Sequence, residues 1–396
     1  MIVGCSEKEK YVLNSLKSND SLLVINVDGN QEVMMKKYSD FFSCVHPIIL
    51  DSTSQALIGP ISKMDVVDSL LIVLDVGIAK SIFVFNRKGK FIRKIGSFGR
   101  GPGEYLGVCD FTFDAVHKNL LLLDTWQQKI HSYNLQTGEY KKSITLKGDD
   151  RRVRSYHICY KDSTVYADAY FDLPSPENYL LRVFSEDGVQ QSKYMATGDY
   201  NKGWSNLYYV DKKAFYDLGE REGILFHQQF MDTIMMIRNK DVFPFAVVAS
   251  KNFVTTKILK DINKNHGNDF PFNELSKKKA IWGISNIIMF KDYLYFRYLE
   301  GYHVLQILYQ KTTGTTLKVR FTNDVLYTEQ LEREVPQDYL CMDSKGLYTY
   351  ITTENLPVFA AYAREGLFSF SPEHIDQISK LDEKSNPVIL YYEFKQ

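Results

Sequence analysis

Net charge is the first thing this sequence lacks: Lys plus Arg and Asp plus Glu each number 48 in 396 residues. Without a basic surplus there is no counterion-release drive toward nucleic acid and no bulk electrostatic hold on an anionic membrane. Long apolar runs are missing too. None approaches the ~20 residues of a membrane-spanning helix, so membrane association would need an anchor. The five cysteines, Cys5, Cys44, Cys109, Cys159 and Cys341, form no C-x-x-C and no zinc-type spacing. Free buried thiols are the expectation for the last four, with one disulfide open in an oxidising compartment and no pairing indicated. There is no G-x-S-x-G elbow and no Ser, His and acid grouping. Low-complexity tracts are absent as well.

Aromatic rings, by contrast, are plentiful: 27 Tyr and 25 Phe, a composition that suits pleated, half-buried strands. The chain also repeats itself. "DSLLIVLD" (Asp68–Asp75) followed by "SIFVFNRKGKFIRKI" (Ser81–Ile95) returns as "KNLLLLD" (Lys118–Asp124) followed by "KIHSYNLQTGEYKKSITL" (Lys129–Leu146). Asp75 maps to Asp124, Asn86 to Asn134 and Gly89 to Gly138. A third copy, "NYLLRVFSEDGVQQSKYM", places Gly188 another 50 residues on. Looser copies run over Gly223–Ser250, Asp292–Phe321 and from Tyr339. Short strands, four to a unit, at a period near 50 predict a β-propeller. The count is six blades, and no helical pattern alternates with the strands, which excludes Rossmann and TIM architectures.

The expected fold is therefore all-β: a six-bladed β-propeller of four-stranded antiparallel blades, closed by pairing N- and C-terminal strands. "NPVILYYEFK" (Asn386–Lys395) needs an outer partner, and either "SLLVINV" (Ser21–Val27) or "CVHPIIL" (Cys44–Leu50) would remove the open edge. Before it, Ser371 and Pro372 read as the cap and first residue of a short helix. The glycine-rich stretch "GSFGRGPGEY" (Gly96–Tyr105) invites a phosphate-loop reading. A phosphate loop needs a helix after the glycines and a Gly-Lys-Ser/Thr; here an alternating strand pattern, "GVCDFTFD", follows. The stretch is read as the corner between blades one and two, its glycines supplying positive φ. The lesser reading is a backbone-amide nest near Arg100 and Glu104 for a carboxylate or sulfate.

"VFNRKGKFIRKIGSFGRGPGEYLGVCDFTFD", with "KYSDFFSCVHPIIL" before it and "NPVILYYEF" at the end, resembles the six-bladed β-propeller lipoproteins abundant in Bacteroidetes, distant relatives of NHL-repeat propellers. The resemblance covers nearly the whole chain and is most specific over Ser39–Leu146. It implies a lipid anchor and a periplasmic, outer-membrane or surface location, and it implies no catalytic residues. "IVGC" (Ile2–Cys5), followed by "SEKEK", is similar to the end of a lipoprotein signal, with Cys5 as the lipidation candidate; the charged and apolar regions of such a signal are not in the sequence. Residues 1–20 read as a tether and 21–396 as a single propeller domain.

Function is sought where a propeller's inner strands and connecting loops meet. Eight histidines are scattered, and a converging trio of His157, His227 and His303 would be needed for a metal-dependent lyase. A lactonase-type calcium site would draw on Asp65, Glu104, Asp110, Asn206 and Asn286, although such residues also serve turns. A peptidase domain beside the propeller would need many more residues than the chain has. The binding reading rests on aromatic and charged side chains near loops: Arg100, Glu104, Trp126, Arg154, His157, Trp204, Trp282, Tyr302 and His303. Each Trp has a competing role in blade packing, and "DDRRVR" (Asp149–Arg154) a competing role as a solvated loop. The expectation is a monomeric, non-catalytic envelope protein that binds a peptide, glycan or protein partner at the channel mouth. It has no required cofactor, with calcium binding left open. The alternatives are a calcium- or zinc-dependent hydrolase or lyase at the same mouth, and a scaffold subunit acting through blade edges.

Overall fold

A computed structural model describes residues 22–29, 32–148, 154–170, 178–200, 213–218, 222–266 and 272–396. Six small sheets form the blades of a six-bladed β-propeller. Blade one is Lys63–Val67, Leu70–Asp75, Ser81–Asn86 and Phe91–Ile95, and blade two is Val108–Asp114, Asn119–Asp124, Lys129–Asn134 and Tyr140–Thr145, both in simple meander order. Blade three comprises Ile158–Lys161, Thr164–Asp168, Tyr179–Ser185 and Gln190–Ala196. Blades four (Phe215–Asp217 to Asp241–Ala249) and five (Ile281–Phe290 to Thr315–Thr322) each gain a fifth, parallel strand, Leu23–Asn26 and Met34–Lys37 respectively.

Blade six answers the closure question. Phe42–Ile49 pairs antiparallel with Val388–Phe394 as the outer strand beside Gly346–Ile351 and Asp338–Met342. The segment at Ser21–Val27, the other candidate, instead supplies the parallel strand of blade four. By packing, the chain divides into two compact units. One falls within Met1–Gln31, Leu173–Leu180 and Tyr194–Lys318 and carries blade four and most of blade five; the other falls within Glu32–Asp172, Leu181–Lys193 and Val319–Gln396 and carries blades one, two and six and most of three.

The sequence explains the packing of the second unit residue by residue. Leu71 and Val73 of blade one join Tyr348, Tyr350 and Ile389 of blade six in one apolar cluster. Ile72 and Leu74, on the opposite face of the same strand, join Phe111, Leu120 and Leu122 of blade two. Leu121 and Leu123 then join Ile158, Val165 and Phe184 of blade three. Side chains alternate across a strand, so a strand buried on both faces must read as an unbroken apolar run. That is why "LLIVL" and "LLLL" do not alternate. Each such side chain contributes about 1.5–3 kcal/mol on burial. The outer strands Phe91–Ile95, partly exposed, and Tyr140–Thr145, largely exposed, carry Arg93, Lys94, Lys141 and Lys142, charges that discourage edge-to-edge pairing.

The repeat glycines have a shared cause. Gly89, Gly138 and Gly188 all close the turn between third and fourth strands with φ near +80° (80°, 78° and 81°). A Cβ on Gly89 would lie 2.1 Å from the Ile49 carbonyl oxygen of blade six, and one on Gly188 would lie 2.2 Å from the Thr145 carbonyl oxygen of blade two. The turn of each of these blades thus rests on the outer strand of the blade before it, and the Asp51 and Lys147 amides donate to the glycine carbonyls. At Gly138 the nearest atom is the flexible Arg93 side chain, 3.2 Å away.

Helices are the departure from an all-strand expectation. Pro372–Ser379 is the anticipated one, with Ser371 accepting from the His374 amide. Thr256–His266, Phe272–Lys277 and Leu356–Arg364 were not anticipated. They lie in the connections where the repeat had degenerated; Leu259 and Leu275 bury against blades four and five, and Phe359 packs on Phe368 and Phe370.

Because the φ penalty is common to all three glycines and the backbone clash is not, Gly89→Ala and Gly188→Ala should cost about 2–5 kcal/mol and Gly138→Ala only about 1–2 kcal/mol. Urea unfolding of the three variants checks this; equal losses would sink the account of the glycines as blade contacts.

Candidate functional site

The chemistry-bearing side chains of the second unit concentrate on the inner strands of blades one to three and the loops leading into them. Lys63 begins the inner strand of blade one. Its Nζ donates to Asp110 Oδ1 at 2.7 Å and to the Phe111 carbonyl at 2.6 Å, and lies 3.7 Å from Asp65. Burial alone would favour the neutral amine, but the Asp110 and Asp65 carboxylates outweigh it and hold the Lys63 pKa above the ordinary lysine value. Asp110 in turn accepts the Ile158 amide of blade three at 2.8 Å, and Thr112 accepts the Tyr160 amide. Three inner strands are stitched together in this way. Asp65 and Asp110, two of the residues considered for calcium, each form an ion pair with the Lys63 ammonium. Glu104 is spent as well: its carboxylate accepts the Gly101 amide at 2.6 Å and fills the space beside Gly99. Asn206 lies outside the described residues, and Asn286 takes a left-handed backbone conformation, φ 49°, at a break of register within the strand Ile281–Phe290.

The glycine-rich stretch is a corner, as its sequence suggested. Ser97–Phe98 and Glu104–Tyr105 pair with each other, Tyr105 is buried with its hydroxyl donating to the Lys80 carbonyl, and the Tyr133 hydroxyl donates to the Gly103 carbonyl. Arg100 is exposed at its tip.

A strand-end carboxylate recurs in each of these blades. Asp75 accepts the amides of Gly59, Ile78 and Ala79. Asp124 accepts those of Leu106, Trp126 and Gln127. Asp168 accepts those of Tyr156 and His157. Burial pushes the Asp124 carboxyl up, but His131 and these amides more than compensate, bringing it down to about 2. In blade six Asn386 does the same work, accepting from Ile58 and donating to Asp51 and Ala56.

His157, one of the predicted site residues, pairs through Nδ1 with Asp168 at 2.6 Å. Burial pulls its pKa down, and the adjacent Asp168 carboxylate reverses this to a net rise. A His–carboxylate pair is half of a general-base device, but the neighbouring hydroxyl is committed: Ser155 donates to the Asp168 carbonyl and receives Arg182 Nη2 at 2.7 Å. The pair therefore orders the loop before the inner strand of blade three.

That loop carries the exposed chemistry. Trp126, between the second and third strands of blade two, is 69 % exposed, and the Arg154 guanidinium lies 5.8 Å from its ring centroid. The ring covers Gly107 so closely that a Cβ there would fall 1.5 Å from Trp126 Cδ1. Beneath, Thr125 Oγ1 donates to the Ser155 carbonyl, the Ser155 amide donates to Gln128, and Arg154 exchanges two main-chain bonds with Tyr170. Trp126 and Arg154 are thus brought together on pinned loops, whereas the His157 side chain is turned to Asp168.

The remaining predicted residues fare differently. Trp282 is 1 % exposed and packs against Phe230 and Phe272 in the core of the first unit, so it is not a ligand contact. Tyr302 and His303 are exposed at the hairpin of blade five, with Tyr302 edge-on to Phe272. His227 is buried with its ring at the Met231 carbonyl, a core histidine. Trp204 and Cys5 lie outside the described residues. Cys44, Cys109, Cys159 and Cys341 form no disulfide among the described residues. Among the described residues one group of three donors lies within metal-ligand reach: Cys44, His46 and Glu393 on blade six. It was missed because Glu393 is brought in only by strand pairing; the Cys-x-His spacing on a strand was the available signal.

The sequence over residues 22–393 matches the family described as Domain of unknown function (DUF4934). The chain belongs to that family. No curated protein matches it. Among solved structures it is similar to a "Putative exported protein" from Bacteroides fragilis, with 16% identity, a TM-score of 0.70, and coverage of 95% of this chain and 100% of that one. It is also similar to a member of the DUF4221 family from Bacteroides vulgatus, with 13% identity, a TM-score of 0.51, and coverage of 89% and 97%. At these identities the shared property is the fold. Among the described residues no helix is long and apolar enough to cross a membrane.

The His157–Asp168 pair sets a pH dependence. The folded state holds the imidazolium proton more tightly than the unfolded chain, whose value is near 6.5. The stabilisation is therefore complete below that value and is lost as pH rises through the higher folded value. Urea midpoints should fall across that window in the wild type and stay flatter in His157→Gln; an unchanged profile would remove His157 from this role.

Proposed function

We propose that this member of the DUF4934 family is a non-catalytic binding protein of the cell envelope. Its ligand is a glycan or peptide that lays a flat apolar face on Trp126 and an anionic group on Arg154. The observation that carries this reading is the exposed Trp126 ring held over Gly107 with a guanidinium beside it. A ring joined to a fixed cation suits sugar or aromatic faces bearing carboxylate or sulfate. The loops beneath are already fixed, so little ordering entropy is lost on binding. The commitment of Ser155, Asp110 and Lys63 to internal partners favours binding over hydrolysis. The envelope location is supported by the likeness to the Bacteroides fragilis "Putative exported protein", and attachment through a lipid on Cys5 is part of the same proposal.

Thermal-shift and calorimetric screening against acidic and neutral oligosaccharides and short acidic peptides tests it. An acidic ligand should raise Tm, and Trp126→Ala or Arg154→Ala should weaken its binding about tenfold, roughly 1.4 kcal/mol. Gly107→Ala, which displaces the ring while leaving it in the protein, should do the same at little cost in stability. Binding that survives all three substitutions would remove the site from blades two and three. Palmitate labelling of the native precursor, lost in Cys5→Ser, checks the anchor; label retained by that variant would reject Cys5.

A further inference from the structure

We propose that Cys44, His46 and Glu393 form a zinc-class transition-metal site on the face of blade six. The placement follows from strand geometry. Cys44 and His46 are two apart on Phe42–Ile49, so their side chains leave the same face. The antiparallel register sets Glu393 directly opposite Cys44, and Tyr391 opposite His46. Cys44 Sγ lies 3.2 Å from His46 Nε2 and 3.6 Å from Glu393 Oε2, and the last two atoms are 3.8 Å apart.

Those separations are the edges of a coordination tetrahedron. Zinc bonds of about 2.3 Å to sulfur, 2.0–2.1 Å to nitrogen and 2.0–2.2 Å to oxygen at tetrahedral angles put the donor atoms roughly 3.4–3.6 Å apart. Each observed separation is within about 0.4 Å of that range, so rotamer adjustment closes the site without moving the strands. The His46 ring is braced by Tyr391, with centroids 6.1 Å apart and 23° between planes. The Ser43 hydroxyl approaches Sγ at 3.7 Å, a partner for a thiolate outside the coordination sphere.

Donor chemistry selects the metal. Thiolate and imidazole suit zinc, cobalt and their neighbours, whereas calcium and magnesium prefer all-oxygen shells. Three protein donors leave a fourth position, and His46 and Glu393 side chains are 53% and 46% exposed, so that position faces solvent. Open three-donor sites accept water or an exchangeable anionic ligand. The site lies on blade six, separate in residues and chemistry from the Trp126 loops, and it does not depend on the binding function proposed for them.

The test uses the whole chain, stripped with chelator and kept reduced with a phosphine, titrated with cobalt(II) and then zinc(II). One cobalt per chain should produce a thiolate-to-metal charge-transfer band and tetrahedral visible bands, both displaced by zinc. Cys44→Ser should abolish the charge-transfer band. His46→Gln and Glu393→Gln should weaken zinc by more than the roughly tenfold that follows loss of an outer partner of a metal ligand. All three residues sit on a solvent-facing surface, and the circular dichroism and Tm of the metal-free variants should match wild type. The half-buried Cys109 and the buried Cys159 and Cys341 stay in place as an internal control. No charge-transfer band, a band that persists in Cys44→Ser, or zinc affinity unchanged in both His46→Gln and Glu393→Gln would overturn the proposal.

Discussion

Burial of the second strand of a blade on both faces is the constraint on which the second unit depends. Leu71 and Val73 cannot leave water unless blade six is present, nor can Ile72 and Leu74 unless blade two is. A strand of this kind gains nothing as part of an isolated sheet, so consecutive blades stabilise one another and the repeat has to be read as a set. Close approach then follows. Gly89 and Gly188 must lack a Cβ because backbone at the outer strand of the preceding blade occupies that space, and the outer strands can be charged because the stack leaves much of them in water.

Stacked sheets also draw polar groups inside, and the structure satisfies them locally. Asp75, Asp124 and Asp168 gather the amides of loops that would otherwise be unpaired at the blade ends, and Asn386 does so for blade six. Lys63 and Asp110 neutralise each other across inner strands. Much of the ionisable chemistry that sequence reading offers for catalysis is thereby spent on holding loops. At the surface of these blades, the Trp126 ring and the Arg154 guanidinium stand together on segments that internal hydrogen bonds hold in place.

The repeat was legible because it is imposed by neighbours along the chain: an apolar run, a strand-end Asp, an Asn that caps the following turn, and a Gly at its positive φ. The equivalence of Asn86 and Asn134 is borne out in detail, since each side chain accepts amides of its own turn. The corner at Gly96–Tyr105 was legible for the same reason. Trp282 was not: "AIWGISN" offers Ser285 and Asn286 beside an apolar run, and the packing of Phe230 and Phe272 around the ring makes it core. The helices Thr256–His266 and Phe272–Lys277 escaped notice because their apolar positions face the strands of blades four and five, whose repeat signal is weak.

Six blades, their order, the closing role of Asn386–Lys395 and the conformation of the turns were determined by the sequence alone, because each rests on local backbone preference and on strand periodicity. Which N-terminal segment closes blade six, which Trp is exposed, which acid meets Lys63, and the meeting of Cys44 and His46 with Glu393 were decided only by tertiary structure. These are pairings between residues far apart in the chain, and their register is set by the summed packing of whole sheets, a quantity no short stretch of sequence contains.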